Sequence, residues 1–187
     1  MTSARHGGLH PQKKLMAAIN LLGGPAVLGS YAWGASAYSS ETVQRLWGDV
    51  PLAVRPYYTS WMFVAATGYL LFLYYLFVRV DAERARVAGG YGFGLFNVLL
   101  VLILVPSAMW MPLTLHHIEA PDPLKWKLIV AGLWTTGLAS LAMIGALSTL
   151  VPRESATAWK AALVGSVLFA GQTFLLDAVV WTVYFRV

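Results

Sequence analysis

The sequence predicts an all-α membrane protein, a polytopic bundle of five transmembrane helices that forms one domain over residues 1–187. Of the 187 residues, 58% are hydrophobic and 11% are charged, whereas about a quarter of a soluble domain is charged. A soluble globule of this length has no interior large enough for so many apolar side chains, so the excess must face lipid. The apolar residues lie in five stretches, and about 20 helical residues cross the hydrocarbon layer. The expected spans are residues 15–38, 58–80, 90–115, 124–150 and 156–185.

The first span also has features of a secretory signal. Lys13 and Lys14 precede it, and the small residues Ala35, Ser36 and Ala37 resemble a cleavage site. Its apolar stretch is longer than that of a usual signal, and we therefore expect a retained helix.

The longest connection, residues 39–57, joins the first two spans. Ser40 is expected to cap a short helix that reaches Trp47, and Pro51 and Pro56 stiffen the return to the membrane. Two interpretations remain open: an amphipathic lid over the mouth of the bundle, with Trp47 as its aromatic residue, or a plain interfacial linker.

Aromatic residues and prolines mark the second and third spans. Trp61 and Tyr75 share a face with small residues in the second span, and such faces suit flat hydrophobic ligands. Pro106 and Pro112 flank Trp110 in the third, where the helix is expected to kink or end, since each proline removes a backbone hydrogen bond. The freed carbonyls require protein or a cavity beside them. Ordinary aromatic packing and a simple kink are the alternatives.

The fourth span carries a ridge of small residues, Gly132, Thr136 and Ser140, at four-residue spacing. Such ridges let helices approach closely, either within one chain or between chains. Trp134 lies on the same span and is a candidate wall of a pocket.

The fifth span contains Asp177, the one acid well inside a predicted span. An ionisable side chain at this depth costs about 2.5–3.5 kcal/mol, so it needs a partner or a water-filled cavity. Steps of three and four residues predict one inward face, formed by Ser166, Ala170, Thr173, Asp177, Trp181 and Tyr184. Asp177 is either a ligand-facing or proton-carrying acid, or a packing residue paired with Asn20, Asn97 or a tyrosine hydroxyl.

The basic residues predict the orientation. Of the 13 Lys and Arg residues, eight fall on the side of the N-terminus and five on the opposite side. The positive-inside rule therefore predicts a cytoplasmic N-terminus and an external C-terminus. The same residues are scattered singly between apolar stretches, which argues against nucleic-acid binding.

Several kinds of chemistry are missing from the sequence. The chain has no cysteine, which excludes disulfides, thiolate nucleophiles and iron–sulfur clusters. None of its four histidines lies in the middle of a span, which excludes paired haem ligands across the bundle. No catalytic signature is present, and Asp177 lacks the second carboxylate of an aspartyl protease. The sequence therefore predicts no catalytic residue and no metal site. It predicts a non-catalytic protein.

The layout resembles the translocator protein family, also called tryptophan-rich sensory proteins. Eight tryptophans, five spans and a long first loop are shared features. Short strings are also similar to the family pattern: Arg55-Pro56, Thr59-Ser60-Trp61-Met62-Phe63 and Gly68-Tyr69; Trp110-Met111-Pro112-Leu113; Phe169-Ala170 and Leu176-Asp177. The chain departs from that pattern in three ways. It lacks the lysine-proline-x-tryptophan-x-proline-proline run, it has Ser107 and Asp177 where asparagines are expected, and its spacing from Phe169 to Leu176 is longer.

This resemblance implies binding of tetrapyrroles, such as porphyrin or haem, or of sterol-like lipids, and a homodimer. Together with the residues, it predicts a protein that binds or translocates a flat hydrophobic molecule inside the bundle. Trp47 is the expected lid residue, Asp177 the polar anchor, and the expected walls are Trp61, Tyr75, Trp110 and Trp134. One alternative is an accessory subunit of a larger membrane complex. Another is a small proton-coupled transporter that uses Asp177, although an odd helix number and no inverted repeat count against it.

Overall fold

A computed structural model describes residues 8–185, and six helices form this part of the chain. They are α1 (Pro11–Ala37), α2 (Ser40–Arg45), α3 (Arg55–Arg79), α4 (Gly94–Glu119), α5 (Pro123–Thr149) and α6 (Ala156–Tyr184). All except α2 are long and apolar enough to cross a membrane, with mean hydropathy between 1.4 and 2.2. The predicted all-α bundle of five membrane-spanning helices is therefore confirmed. The chain ends, residues 1–7 and 186–187, lie outside the described residues, and the predicted orientation depends in part on them.

Two helices begin four residues away from the predicted position: α1 begins at Pro11 rather than at residue 15, and α4 at Gly94 rather than at residue 90. Val87 and Tyr91 exchange two backbone hydrogen bonds of 2.7 and 2.9 Å. Gly89, between them, has a φ of 77°, a conformation that glycine adopts without strain. The residues around Gly90 therefore form a tight turn, and the helix starts only after it.

The prolines of α4 do not end the helix, which is continuous through Pro106 and Pro112. In the turn before Pro106, the carbonyl of Ile103 accepts hydrogen bonds from the hydroxyls of Ser107, at 2.7 Å, and Thr136, at 3.4 Å. Hydroxyls of the same and neighbouring helices commonly support prolines within membrane helices in this way. Of the two expected outcomes, a kink or an end, the structure therefore excludes the end.

The helices pack in a defined order around the bundle: α1 lies against α4, α4 against α5, α5 against α6, and α6 against α3. Between α1 and α3, the hydroxyl of Tyr69 donates a hydrogen bond to the side-chain oxygen of Asn20. The α3–α6 crossing is closest at Gly68 and Gly165, where a Cβ on either residue would collide with the carbonyl of the other. Small residues thus determine how closely these helices approach.

The predicted small-residue ridge of α5 is used within the chain. Thr136 and Ser140 are buried, and Ser140 receives a hydrogen bond of 2.9 Å from Thr173 of α6. A Cβ at Gly132 would meet the ring of Pro106 of α4 at 3.5 Å. The ridge therefore faces α4 and α6.

Two clusters of buried apolar side chains fill the bundle at different levels. The first, which we call the closed end, includes Phe72, Tyr75 and Phe96, together with residues of the α3–α4 connection. The second, which we call the lid end, includes Leu46 after α2, Tyr58, and Trp181 of α6. The lid end contains the candidate site.

Candidate ligand-binding site

A cavity of about 260 Å³ opens within the lid end of the bundle. All six helices contribute to its lining, which consists of Tyr31, Val43, Leu46, Trp47, Tyr58, Thr59, Met62, Pro106, Ser107, Trp110, Met111, Leu133, Thr136, Thr173, Asp177 and Trp181. The lining is mainly aromatic, methionine and aliphatic, with a few hydroxyls and one acid. Pockets that bind small molecules have this composition and measure about 300–1,000 Å³, so the cavity lies just below their usual size.

A row of aromatic rings forms one side of the cavity. The ring of Trp110 lies 5.9 Å from that of Tyr31 and 5.5 Å, edge to face, from that of Trp181. Trp181 in turn stacks on Phe185 at 4.3 Å. Tilted and edge-to-face contacts of this kind hold aromatic side chains in place, and they give the cavity an aromatic wall.

The connection between α1 and α3 covers the cavity. Val43 of α2, with Leu46 and Trp47 directly after it, lines the cavity. The structure therefore favours the lid interpretation of this connection. The helix cap is Ser39 and not the predicted Ser40, because the hydroxyl of Ser39 accepts the backbone N–H of Thr42 at 3.2 Å.

The lid is fastened to the C-terminal end of α6. The indole N–H of Trp181 donates to the carbonyl of Leu46 at 2.8 Å, and the backbone N–H of Asp49 donates to the carbonyl of Tyr184 at 2.9 Å. Gly48, with a φ of 51°, packs so closely there that a Cβ would lie 2.7 Å from the Tyr184 oxygen. Lid and α6 are therefore mechanically linked.

A cation holds the other side of the lid. The guanidinium of Arg55, at the start of α3, lies 5.6 Å from the ring centre of Trp47. It also donates to the carbonyl of Val50 at 3.0 Å and to the side chain of Gln44 at 3.3 Å. Trp47 meets Tyr58 edge to face at 5.6 Å. These contacts place the Trp47 ring against the cavity.

Asp177 is held inside the cavity by two neutral donors. The hydroxyl of Tyr58 and the amide of Gln172 each donate to its Oδ1 atom at 2.7 Å. The partner is thus a tyrosine hydroxyl, one of the predicted options, joined by a glutamine that the sequence did not indicate. The other options are engaged elsewhere, since Asn20 pairs with Tyr69 and Asn97 with Gln12.

A π-helical segment of α6, Gly171–Trp181, brings Gln172 and Asp177 together. Residues five apart point about 140° away from each other in an α-helix, at about 100° per residue. In a π-helix the backbone bonds run from i to i+5, so side chains five residues apart stack. The predicted inward face is wrong at its end, where Trp181 is buried but Tyr184 is 41% exposed.

Three of the six predicted site residues line the cavity, namely Trp47, Trp110 and Asp177. The other three do not. Trp61 is 38% exposed and lies against Gly171 of α6, and Trp134 is 39% exposed and meets Phe174 edge to face at 5.7 Å. Tyr75 is fully buried in the closed end.

The positions of these three residues were predicted wrongly for one reason. A helical face gives the direction in which a side chain points, but neither its height along the bundle nor the helix beside it. Tyr75 lies seventeen residues beyond Tyr58 on α3, about 25 Å along the helix axis. The residues that sequence reasoning missed, Tyr31, Tyr58 and Met62, lack a distinguishing pattern. Tyr58 fits an interfacial belt equally well, and Tyr31 lies on α1, the span with the smallest buried share.

The lining of the cavity is apolar apart from a few hydroxyls and one carboxyl. Its lining contains no Lys, Arg or His, so no basic side chain within residues 8–185 borders it. No group of three or more His, Cys, Asp or Glu side chains in the described range is arranged to hold a metal ion. What the arrangement offers is an acid at one point of an apolar, aromatic chamber.

Comparison of the chain with protein-family models, curated proteins and solved structures finds no match. The resemblance to the translocator protein family therefore rests on the chain's own residues and layout.

Proposed function

We propose that this integral membrane protein binds a flat hydrophobic small molecule in the cavity of its lid end, without catalysing a reaction on it. The candidate ligand classes are sterol-like lipids and tetrapyrroles. The observation that carries the proposal is the cavity itself, which six helices line with aromatic and aliphatic side chains around one acid. In a membrane protein, an ionisable group at depth commonly marks a functional pathway or site.

The size of the cavity ranks the two ligand classes. At about 260 Å³ with the lid in place, it suits a narrow, flat molecule better than a macrocycle. A tetrapyrrole requires the lid, residues 39–54, to move away from α6. Such a movement breaks the two hydrogen bonds that join the lid to α6.

In the orientation that the Lys and Arg distribution predicts, the lid end faces the outside of the membrane. The connection between α4 and α5 lies at the same end of the bundle as the lid. We therefore propose that the ligand enters from the external leaflet or the external solution.

Energy transfer from tryptophan tests the proposed binding. The purified chain is titrated with dehydroergosterol, a sterol that accepts energy from tryptophan, and with protoporphyrin IX. We expect saturable quenching, and Trp110→Phe should weaken binding about three- to tenfold, since it alters an aromatic wall worth about 0.5–1.5 kcal/mol.

Trp61→Phe is the matched control, because Trp61 lies one helix turn from Tyr58 yet outside the cavity. The affinity of Trp61→Phe for the two ligands should equal that of the unaltered chain. The proposal would be contradicted if neither ligand gave saturable quenching, or if the two variants lost the same amount of affinity.

A further inference from the structure

The two oxygens of the Asp177 carboxyl have different surroundings. Oδ1 accepts both hydrogen bonds, from Tyr58 and from Gln172. Oδ2 accepts none from any residue between 8 and 185, and it is not among the enclosed unpartnered atoms, which include the indole nitrogen of Trp110 and the amide oxygen of Gln172. Because Asp177 lines the cavity, Oδ2 is the oxygen that a guest can reach.

Between residues 8 and 185, no positively charged side chain contacts this carboxyl. Its two partners are a hydroxyl and an amide, and no basic side chain of the described range borders the cavity. A carboxylate in an apolar interior is costly unless an opposite charge and further hydrogen bonds compensate it. Since no described residue of the cavity is a charged partner for Asp177, a basic group of the ligand would supply one.

We infer that the ligand carries a basic amine on its flat hydrophobic body and that this amine binds Oδ2 of Asp177. The inference rests on the proposed function and specifies the polar group of the ligand. An amine suits the site in either protonation state, since it takes the proton of a carboxylic acid or pairs as ammonium with a carboxylate. The aromatic lining adds to the preference, because ring faces attract cations.

An alcohol in the same place forms a weaker contact. Hydrogen bonds to charged groups contribute about 1.5–3 kcal/mol, against about 0.5–1.5 kcal/mol for neutral pairs. The difference corresponds to a preference of about tenfold for the amine over the alcohol.

A matched pair of probes tests the inference: a 3-amino steroid and the corresponding 3-hydroxy steroid, titrated calorimetrically into the full chain in phosphatidylcholine nanodiscs. The amine should bind about tenfold more tightly. In Asp177→Asn the preference should fall to within twofold, while the asparagine oxygen still accepts from Tyr58 and Gln172. Asp49→Asn removes a lid carboxyl that does not line the cavity, and the preference should persist there.

The outcomes separate this inference from the proposed function. Equal binding of the two steroids to the unaltered chain, or a preference that survives in Asp177→Asn, overturns the role of the amine and leaves binding intact. If neither steroid binds, the inference fails, and the proposed function fails with it only if protoporphyrin IX does not bind either. Should Asp177→Asn not fold, infrared difference spectra of the unaltered chain decide, since the amine and not the alcohol should change the carboxyl bands.

The amine has two sources, a free amphiphile or the headgroup of phosphatidylethanolamine. Nanodiscs that contain this lipid distinguish them. If phosphatidylethanolamine weakens binding of the steroid amine to the unaltered chain but not to Asp177→Asn, its headgroup is a source of the amine. A steroid affinity that is the same in both kinds of nanodisc identifies the free amine.

Discussion

Both ends of the bundle are rich in aromatic residues, yet their rings are arranged differently. At the closed end, Phe72 meets Tyr69 and Phe169 edge to face at 5.0 and 5.8 Å, and the surface cleft at this end is bordered by Val80, Ala82 and polar residues rather than by these rings. At the lid end, the rings of Tyr31, Trp110 and Trp181 border an apolar cavity of about 260 Å³. Aromatic content alone therefore does not make a binding site.

Backbone geometry also differs between the two ends. At the closed end, glycines bring α3 and α6 into backbone contact at Gly68 and Gly165, and the bulky rings fill what remains. At the lid end, α6 is π-helical over Gly171–Trp181 and α4 carries Pro106, two features that disturb regular helix packing. The closed end also contains a π-helical segment, Tyr75–Arg79 of α3, so an irregular helix alone does not open a cavity.

The largest expected effect compares truncations at the two ends. Phe72→Ala should cost about 3–5 kcal/mol of unfolding free energy, because it opens a hole in a filled core. Met62→Ala, in the cavity wall, should cost clearly less, because its side chain already borders empty space. Chemical unfolding of both variants in the same detergent checks this. Equal losses would show that the lid end is as tightly packed as the closed end.

A smaller effect is expected from adding one methyl group to the close helix crossing. Gly68→Ala places a Cβ against the backbone of Gly165 and should cost about 1–3 kcal/mol, the usual penalty of overpacking. Gly24→Ala on α1 is the control, since nothing lies within 4 Å of its Cβ, and alanine is favoured over glycine inside helices by about 0.5–1 kcal/mol. Opposite signs in thermal unfolding are expected, and a neutral Gly68→Ala would refute the close crossing.

The smallest effect concerns the lid. Trp181→Phe keeps a ring in the aromatic row but removes the hydrogen bond to the carbonyl of Leu46, worth about 0.5–1.5 kcal/mol. In a Val43→Cys background, maleimide should then label the cysteine about two- to tenfold faster, a readout that the cysteine-free chain makes specific. Trp126→Phe, in the same aromatic cluster, is the control and should leave the rate unchanged. Unchanged labelling in Trp181→Phe would mean that this bond does not hold the lid.

Composition and apolar length were enough to predict the five spans, because the membrane imposes the length of a helix that crosses it. The inward position of Asp177 was predicted from its cost at depth, and that of Trp110 from the prolines around it. Trp61, Tyr75 and Trp134 were misplaced because their helix faces meet a neighbouring helix or the closed end, which depends on how helices pair. The contact between Gln172 and Asp177 could not be predicted from the sequence, since an α-helical projection places the two side chains apart.

The wide turns of α6 have a consequence for the comparison of this chain with others. A π-helical stretch accommodates an extra residue without moving the rest of its helix, so it is a natural place for a length difference between related sequences. The spacing from Phe169 to Leu176, by which the chain departs from the translocator protein pattern, overlaps the beginning of this stretch. A gap placed at Gly171, rather than in a loop, would keep both ends of the helix in register and align Asp177 with the asparagine of that pattern.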